Sequence, residues 1–228
     1  AAFSTTSCSW VVSGTQPAMP TSQPIPNTNY YNLSAFTSAA VYKGYTISAT
    51  ETFYNLNGFY AGPLSGNFGA GTPTWAASAI GGLYCGASGG SQVLSTNNPV
   101  PLTLTFNPGV TGLGANIFIT DASFNIIPGT ITVTFSNGDT NSFSTTSAND
   151  FFGATSNSTL ITSISISATN TTVNGYVTVD NLVIATGTLN PSSNVNHSDL
   201  SNLTSAAVTA GYTISATETF YNLNGFYA

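Results

Sequence analysis

Seven carboxylates, one histidine, two cysteines and one lysine make up nearly all of the reactive chemistry in a chain of 228 residues. Hydrolytic work needs a positioned base or a pair of carboxylates. The candidates are Glu51, Asp121, Asp139, Asp150 and Asp180, scattered singly along the sequence. Asp139 follows Asn137-Gly138, where a turn role suffices. Glu51 recurs as Glu218 inside a duplicated stretch, which suits a structural or interface group better than a unique catalyst. Asp180-Asn181 interrupts an apolar run. It offers ligands for a sugar hydroxyl or Ca²⁺, but a structural hydrogen-bonding role is the simpler reading. His197 is the sole histidine, and no Cys or second His lies near enough to suggest a metal site. A Ser-His-Asp triad would have to recruit it from the linker-like run Asn190-Pro191-Ser192-Ser193. The expectation is a protein that is not an enzyme, with no catalytic residues, no cofactor and no metal.

Two modifications are written more plainly. Cys8 and Cys85 form an even pair, compatible with one disulfide in an oxidising compartment. An intrachain bond would clip the start of the chain onto its Gly-rich middle and add a few kcal/mol in the chain-entropy model. The alternative is an interchain bond; the apolar Trp10-Val11-Val12 beside Cys8 favours the first. Asn-X-Ser/Thr sequons stand at Asn32, Asn157, Asn170, Asn196 and Asn202, five candidates for covalent glycan. With the start Ala1-Ala2-Phe3, which looks like a mature terminus, these features place the chain outside the cell or on its surface.

Charge narrows the classes further. Only 4% of residues are charged, against roughly 25% in an ordinary soluble domain. Lys43 is the single cation, so no basic face exists for nucleic acid and no clamp for phosphate. No run of about 18 apolar residues is present to span a membrane. In place of charges the chain carries 29 Ser, 36 Thr and 24 Asn.

Period-two alternation supplies the elements that must hold these groups. Leu102, Leu104 and Phe106 alternate with threonine, as do Ile131, Val133 and Phe135. Asn137-Gly138 then signals a type I′ hairpin returning through Phe143. Further strands are expected at 116–120, 160–168 and 176–184. Helical spacing is almost absent, with at most one turn over 34–41. Pro17, Pro20, Pro24 and Pro26 suggest an extended arm. The Gly- and Ser-rich stretch 62–92 suggests long loops, with Trp75 and Tyr84 anchoring them to the core. The fold expected is all-β: a two-sheet β-sandwich or jelly roll with an extended N-terminal arm and a donated C-terminal strand segment. The boundaries are 1–32 for the Pro-rich arm, 33–187 for the sandwich, 188–199 for a linker and 200–228 for a repeat.

That repeat is the most informative feature. Leu33–Ala61 and Leu200–Ala228 match at 25 of 29 positions, an offset of 167 residues. The last 18 are identical, and only Ala35/Asn202, Phe36/Leu203, Tyr42/Thr209 and Lys43/Ala210 differ. Shared strand physics preserves pattern, not residues, so this is duplication at the scale of a whole domain. The segment opens either a second tandem unit or a strand pair lent to a neighbouring molecule. Tyr212, Ile214, Phe220, Tyr221, Leu223, Phe226 and Tyr227 are its intersubunit candidates, too apolar to float free.

Between Gly109 and Gly187 the chain resembles the domain of exported bacterial proteins of the PEP-CTERM (exosortase-sorted) type. The matching pieces are Gly112-Leu113-Gly114-Ala115-Asn116-Ile117-Phe118, Gly129 through Gly138, Phe151-Phe152-Gly153-Ala154-Thr155-Ser156 and Val179-Asp180-Asn181-Leu182. The resemblance implies a lectin-like β-sandwich in surface or biofilm material, and the composition resembles that of extracellular glycosylated fibrils. The expected function is a structural protomer of a linear extracellular fibre, a glycosylated homopolymer joined head-to-tail through 200–228. The alternative is a secreted carbohydrate-binding or adhesion module arranged in tandem.

Overall fold

Threonine alternating with Leu, Ile, Val and Phe makes strands with one apolar and one hydroxylated face, and such strands must stack in pairs of sheets. The computed structural model describes residues 26–70, 72–88, 90–170 and 174–189. The chain begins with β1 (Thr28–Tyr30), helix α1 (Leu33–Tyr42), β2 (Thr46–Ile47), β3 (Gly58–Tyr60) and β4 (Leu64–Asn67). Next come β5 (Thr74–Ser78), β6 (Leu83–Ser88), β7 (Ser91–Thr96), β8 (Leu102–Val110) and β9 (Gly112–Thr120). Then follow β10 (Gly129–Phe135), β11 (Thr140–Thr145), β12 (Phe151–Thr155), β13 (Ile161–Thr169) and β14 (Tyr176–Thr186). One sheet has the order β1-β12-β9-β14-β7-β6-β3, with β2 also paired to β14; the other is β11-β10-β13-β8-β5-β4. Neighbours in both sheets run antiparallel. The fold is an all-β two-sheet sandwich.

The expected alternation is the core. Leu102, Leu104, Phe106, Ile131, Val133 and Phe135 of the six-stranded sheet meet Ile117, Ile119, Val177, Val179 and Leu182 of the other. Each buried side chain of this kind contributes about 1.5–3 kcal/mol. Where β8 turns into β9, the chain changes sheets at Thr111, which is fully buried. Its N–H and hydroxyl both donate to Ala185 O, and its carbonyl accepts from Ser156 N, so the corner leaves no backbone group unpaired.

Four expectations are corrected. Residues 33–42 form a full helix, not a single turn. Asn32 caps it by accepting from Ala35 N, and Gly44 follows its end at φ 77°. The helix escaped notice because its buried stripe is only Phe36 and Ala40, set among small residues that blur any period. The stretch 62–92 is not loop, for most of β4, β5, β6 and β7 falls there. The β10–β11 hairpin is not type I′, since among its turn residues only Gly138 has positive φ. Gly138 N donates to Phe135 O and Phe135 N to Asp139 O, the pattern of a three-residue loop closed by a glycine bulge. Finally, part of the stretch read as an arm, Thr28–Tyr30, is an edge strand on β12.

Candidate functional site

The eight-stranded sheet has an outer face, turned away from the core, and two different covers lie on it. At one end α1 seals it. Phe36 and Ala40 pack with Tyr45 against Phe151 of β12 and Val183 and Ala185 of β14. The Phe36 ring stands 6.0 Å from Phe151 and 6.1 Å from Tyr30. Past the helix the chain stays on β14: Glu51 and Leu182 exchange both backbone hydrogen bonds. The Glu51 carboxylate accepts from Phe53 N at 2.7 Å and Trp75 Nε1 at 3.2 Å. This bond holds the fully buried Phe53, whose φ of 55° is costly for a bulky residue. Glu51 is therefore a strut for this part of the chain.

Beside the start of α1, Tyr31, Asn32, Asn116, Asn149 and Asn181 line a cleft of about 310 Å³. It exists because β14 bulges against β9 between Asp180 and Val183, with Asn181 at φ 52°. The bulge turns Asn181 outward, where its Nδ2 donates to Asn116 Oδ1 at 3.0 Å. Asp180 is left only 5% exposed, so burial pushes its carboxyl up, against hydrogen bonds from Ser91 and Asn181 N that lower it.

At the other end the cover is the loop 121–128 between β9 and β10. Asp121 organises it, accepting through Oδ1 from Ser123 N and Asn125 N and through Oδ2 from Asn125 Nδ2. The Asn125 bonds, side chain first, hold its carboxyl below the usual range. The loop sets Phe124 at φ 62° and ties it down where Ser88 Oγ donates to Phe124 O at 2.9 Å. The Phe124 ring then lies 5.6 Å from Tyr84 at 48°. Together Tyr84, Phe124, Tyr176, Asn97, Ser95 and Asp121 line a cleft of about 440 Å³. Under it runs a buried hydroxyl chain: Thr120 and Thr178 Oγ1 stand 2.9 Å apart, and Thr178 donates to Ser95 Oγ at 3.1 Å. Ser95 in turn donates to Val177 O at 3.2 Å. Rings edge this cleft, and its polar side chains are hydroxyls, one carboxamide and one carboxylate. Such a surface takes the C–H face and hydroxyls of a neutral polar ligand.

Tyr84 is thus not the core anchor it was expected to be; it is 37% exposed, while Trp75 is buried at 2%. Phe124 and Tyr176 carried no sequence signal, since only the fold brings them beside Tyr84. Asp139 stays in its turn, accepting from Asn137 Nδ2 and Asn27 N. Asp150 is partly desolvated, yet hydrogen bonds from Thr146 N, Ser147 N and Thr145 outweigh this and lower its carboxyl. Among the described residues Cys85 is a buried thiol with no disulfide partner, and burial pushes it up to about 12. Its expected partner Cys8 lies outside the described residues, as do Asn196, Asn202 and all seven intersubunit candidates from Tyr212 to Tyr227. Of the sequons within them, Asn32 caps α1. Asn157 accepts from Lys43 Nζ and donates to Pro26 O and Thr28 Oγ1, and Asn170 donates to Pro128 O.

No protein-family model matches the sequence, and no curated protein does. Among solved structures the chain is similar to family 29 carbohydrate-binding modules. Two of them are 11% identical with TM-scores of 0.35; they cover 63% and 67% of this chain, and 94% and 99% of their own. A third, complexed with mannohexaose, is 12% identical, covers 63% of this chain and 93% of its own, and has a TM-score of 0.35. Overlap at this level leaves the functional reading to the site itself. No helix among the described residues is long and apolar enough to cross a membrane.

Proposed function

We propose that the protein is a secreted, non-catalytic carbohydrate-binding module, built in series, that takes neutral saccharides in the cleft edged by Tyr84, Phe124 and Tyr176. The observation that carries this is the cleft's composition: three aromatic side chains meet hydroxyl and carboxamide groups on an exposed sheet face. The rings stack on the C–H face of a pyranose, while Asn97, Ser123 and the tyrosine hydroxyls exchange hydrogen bonds with its hydroxyls. The ligand is neutral because no cation lines the cleft, and Asp121 already accepts three hydrogen bonds from its own loop. Calorimetry and affinity electrophoresis against neutral and acidic polysaccharides test this. Binding should favour the neutral set, depend little on salt, and weaken on the order of tenfold in Tyr84→Ala or Phe124→Ala, about 1.4 kcal/mol each. Wild-type affinity in both variants would sink the assignment.

A second reading, the protomer of a linear extracellular fibre, is favoured by the repeat. The home copy is an integral layer of the sandwich: α1, β2 and β3, not a strand pair. Of its four buried positions Phe36, Ala40, Tyr45 and Phe53, the second copy keeps three and replaces Phe36 with the apolar Leu203. Glu218 stands where Glu51 does, and Asp199, another good helix cap, aligns with Asn32. Residues 200–228 therefore carry the side chains that complete a sandwich of this kind. Negative-stain images of native material should show uniform filaments, lost when 200–228 are deleted. Filaments of normal length after that deletion would remove the segment from the contact.

A further inference from the structure

The three sequons in the described residues are not equivalent, and their hydrogen bonds distinguish them. N-glycosylation replaces one proton of the asparagine Nδ2 and leaves Oδ1 an acceptor. At Asn157, Nδ2 donates to Pro26 O at 2.6 Å and to Thr28 Oγ1 at 3.1 Å, so both of its protons are engaged. Its Oδ1 also accepts from Lys43 Nζ at 2.6 Å. A sugar there would break a bond that ties the chain entering β1 to the sandwich. At Asn170, Nδ2 donates to Pro128 O. Asn32 differs in kind. Its Oδ1 does the structural work, accepting from Ala35 N at 2.7 Å, and among the described residues Nδ2 has no partner. The side chain is exposed, and it lines the cleft that Tyr31, Asn116, Asn149 and Asn181 share. Three further carboxamides there are suited to sugar hydroxyls.

We infer that Asn32 is a site of N-glycosylation, with the first sugar residues received by the asparagine-lined cleft at the start of α1. This inference is independent of the ligand cleft at the other end of the face. The donor is a lipid-linked glycosyl diphosphate, acted on by a transferase of the producing cell. Its C1–O bond to the diphosphate breaks, a bond forms between C1 and Asn32 Nδ2, and Nδ2 loses one proton. The helix cap survives, because the oxygen that makes it is untouched.

The test is intact-mass and glycopeptide measurement on full-length protein from its native producer. A glycan should be found on the peptide containing Asn32. Ser34→Ala destroys that sequon and leaves the cap residue in place, so the glycan on the Asn32 peptide should vanish, lowering the intact mass by that glycan, while the thermal midpoint stays within a few degrees. Thr159→Ala, which destroys the Asn157 sequon, should leave the mass pattern unchanged apart from the substitution itself. A bare Asn32 peptide overturns the inference. So does a glycan that survives Ser34→Ala but disappears in Thr159→Ala.

Discussion

One sheet face carries two covers, and they differ in what they leave behind. At the α1 end an amphipathic helix lays Phe36 and Ala40 on Phe151, Val183 and Ala185, and the contact is apolar and closed. At the loop end, eight residues organised by Asp121 lay a single ring, Phe124, beside the half-exposed Tyr84. The underlying strands there bury Thr120, Thr178 and Ser95 instead of apolar side chains. A helix satisfies its own backbone and can spend its face on packing, whereas a loop needs polar partners and cannot seal the sheet. The helix contact is therefore closed packing, whereas the loop leaves a cleft beside it.

The sharpest way to break this comparison is to truncate one ring at each end. Phe36→Ala should cost about 3–5 kcal/mol of stability, read as a lower urea midpoint with unchanged slope. Phe124→Ala should cost less, roughly 1–2 kcal/mol, because the residue is only partly buried, while its saccharide affinity falls about tenfold. Equal stability losses would erase the distinction. Phe36→Leu, the residue carried by the second copy, should cost only about 1 kcal/mol.

The hydroxyl chain under the loop gives the next largest effect. Thr178→Val keeps the shape but leaves Ser95 and Thr120 short of a partner in a fully buried place. A loss of about 1–3 kcal/mol is expected in chemical denaturation, and a neutral result would show that the chain is incidental.

Asp180 sits between the two ends and should respond to pH. Burial raises its folded pKa above the ordinary 3.8. The folded protein thus binds that proton more tightly than the unfolded chain, and the associated stability is present below about pH 3.8 and lost as pH rises through the folded value. Asp180→Asn removes this penalty, so it should raise the thermal midpoint at pH 7 and have no effect below pH 4. A gain of equal size at both pH values would point to packing rather than ionisation.

Lys43 should matter least. Among the described residues its ammonium bonds only to the neutral Thr155 Oγ1 and Asn157 Oδ1, and burial lowers its pKa. Lys43→Ala should cost about 1 kcal/mol or less, in keeping with Ala210 at the matching place in the second copy. A loss above about 2 kcal/mol would mean that the two copies are not interchangeable in one sandwich.

Strand identity was legible because period two is a local property: Leu102 to Phe106 and Ile131 to Phe135 declare their inward faces without reference to anything distant. Asp180-Asn181 was legible as a polar interruption with a hydrogen-bonding role, but not as a bulge, because that depends on how β14 pairs with β9. The helix was not, because two buried residues in ten make no detectable stripe, although Asn32 and Gly44 marked its ends. The strands from Leu64 to Thr96 were hidden by glycine, whose depletion in strands is a tendency that pairing with neighbours overrode.

The sequence by itself determined the two-layer all-β class, the poverty of charge and the duplication, since each is carried by residue identity and spacing alone. Tertiary structure decided which polar residues share a surface. Tyr84, Phe124 and Tyr176 come from three separate elements and meet only when β6, β14 and the β9–β10 loop are folded together. It also decided how the described sequons differ, because Asn157 and Asn170 donate through Nδ2 to groups 42 or more residues away along the chain. Contacts across such separations are set by sheet order and register, which no local pattern encodes.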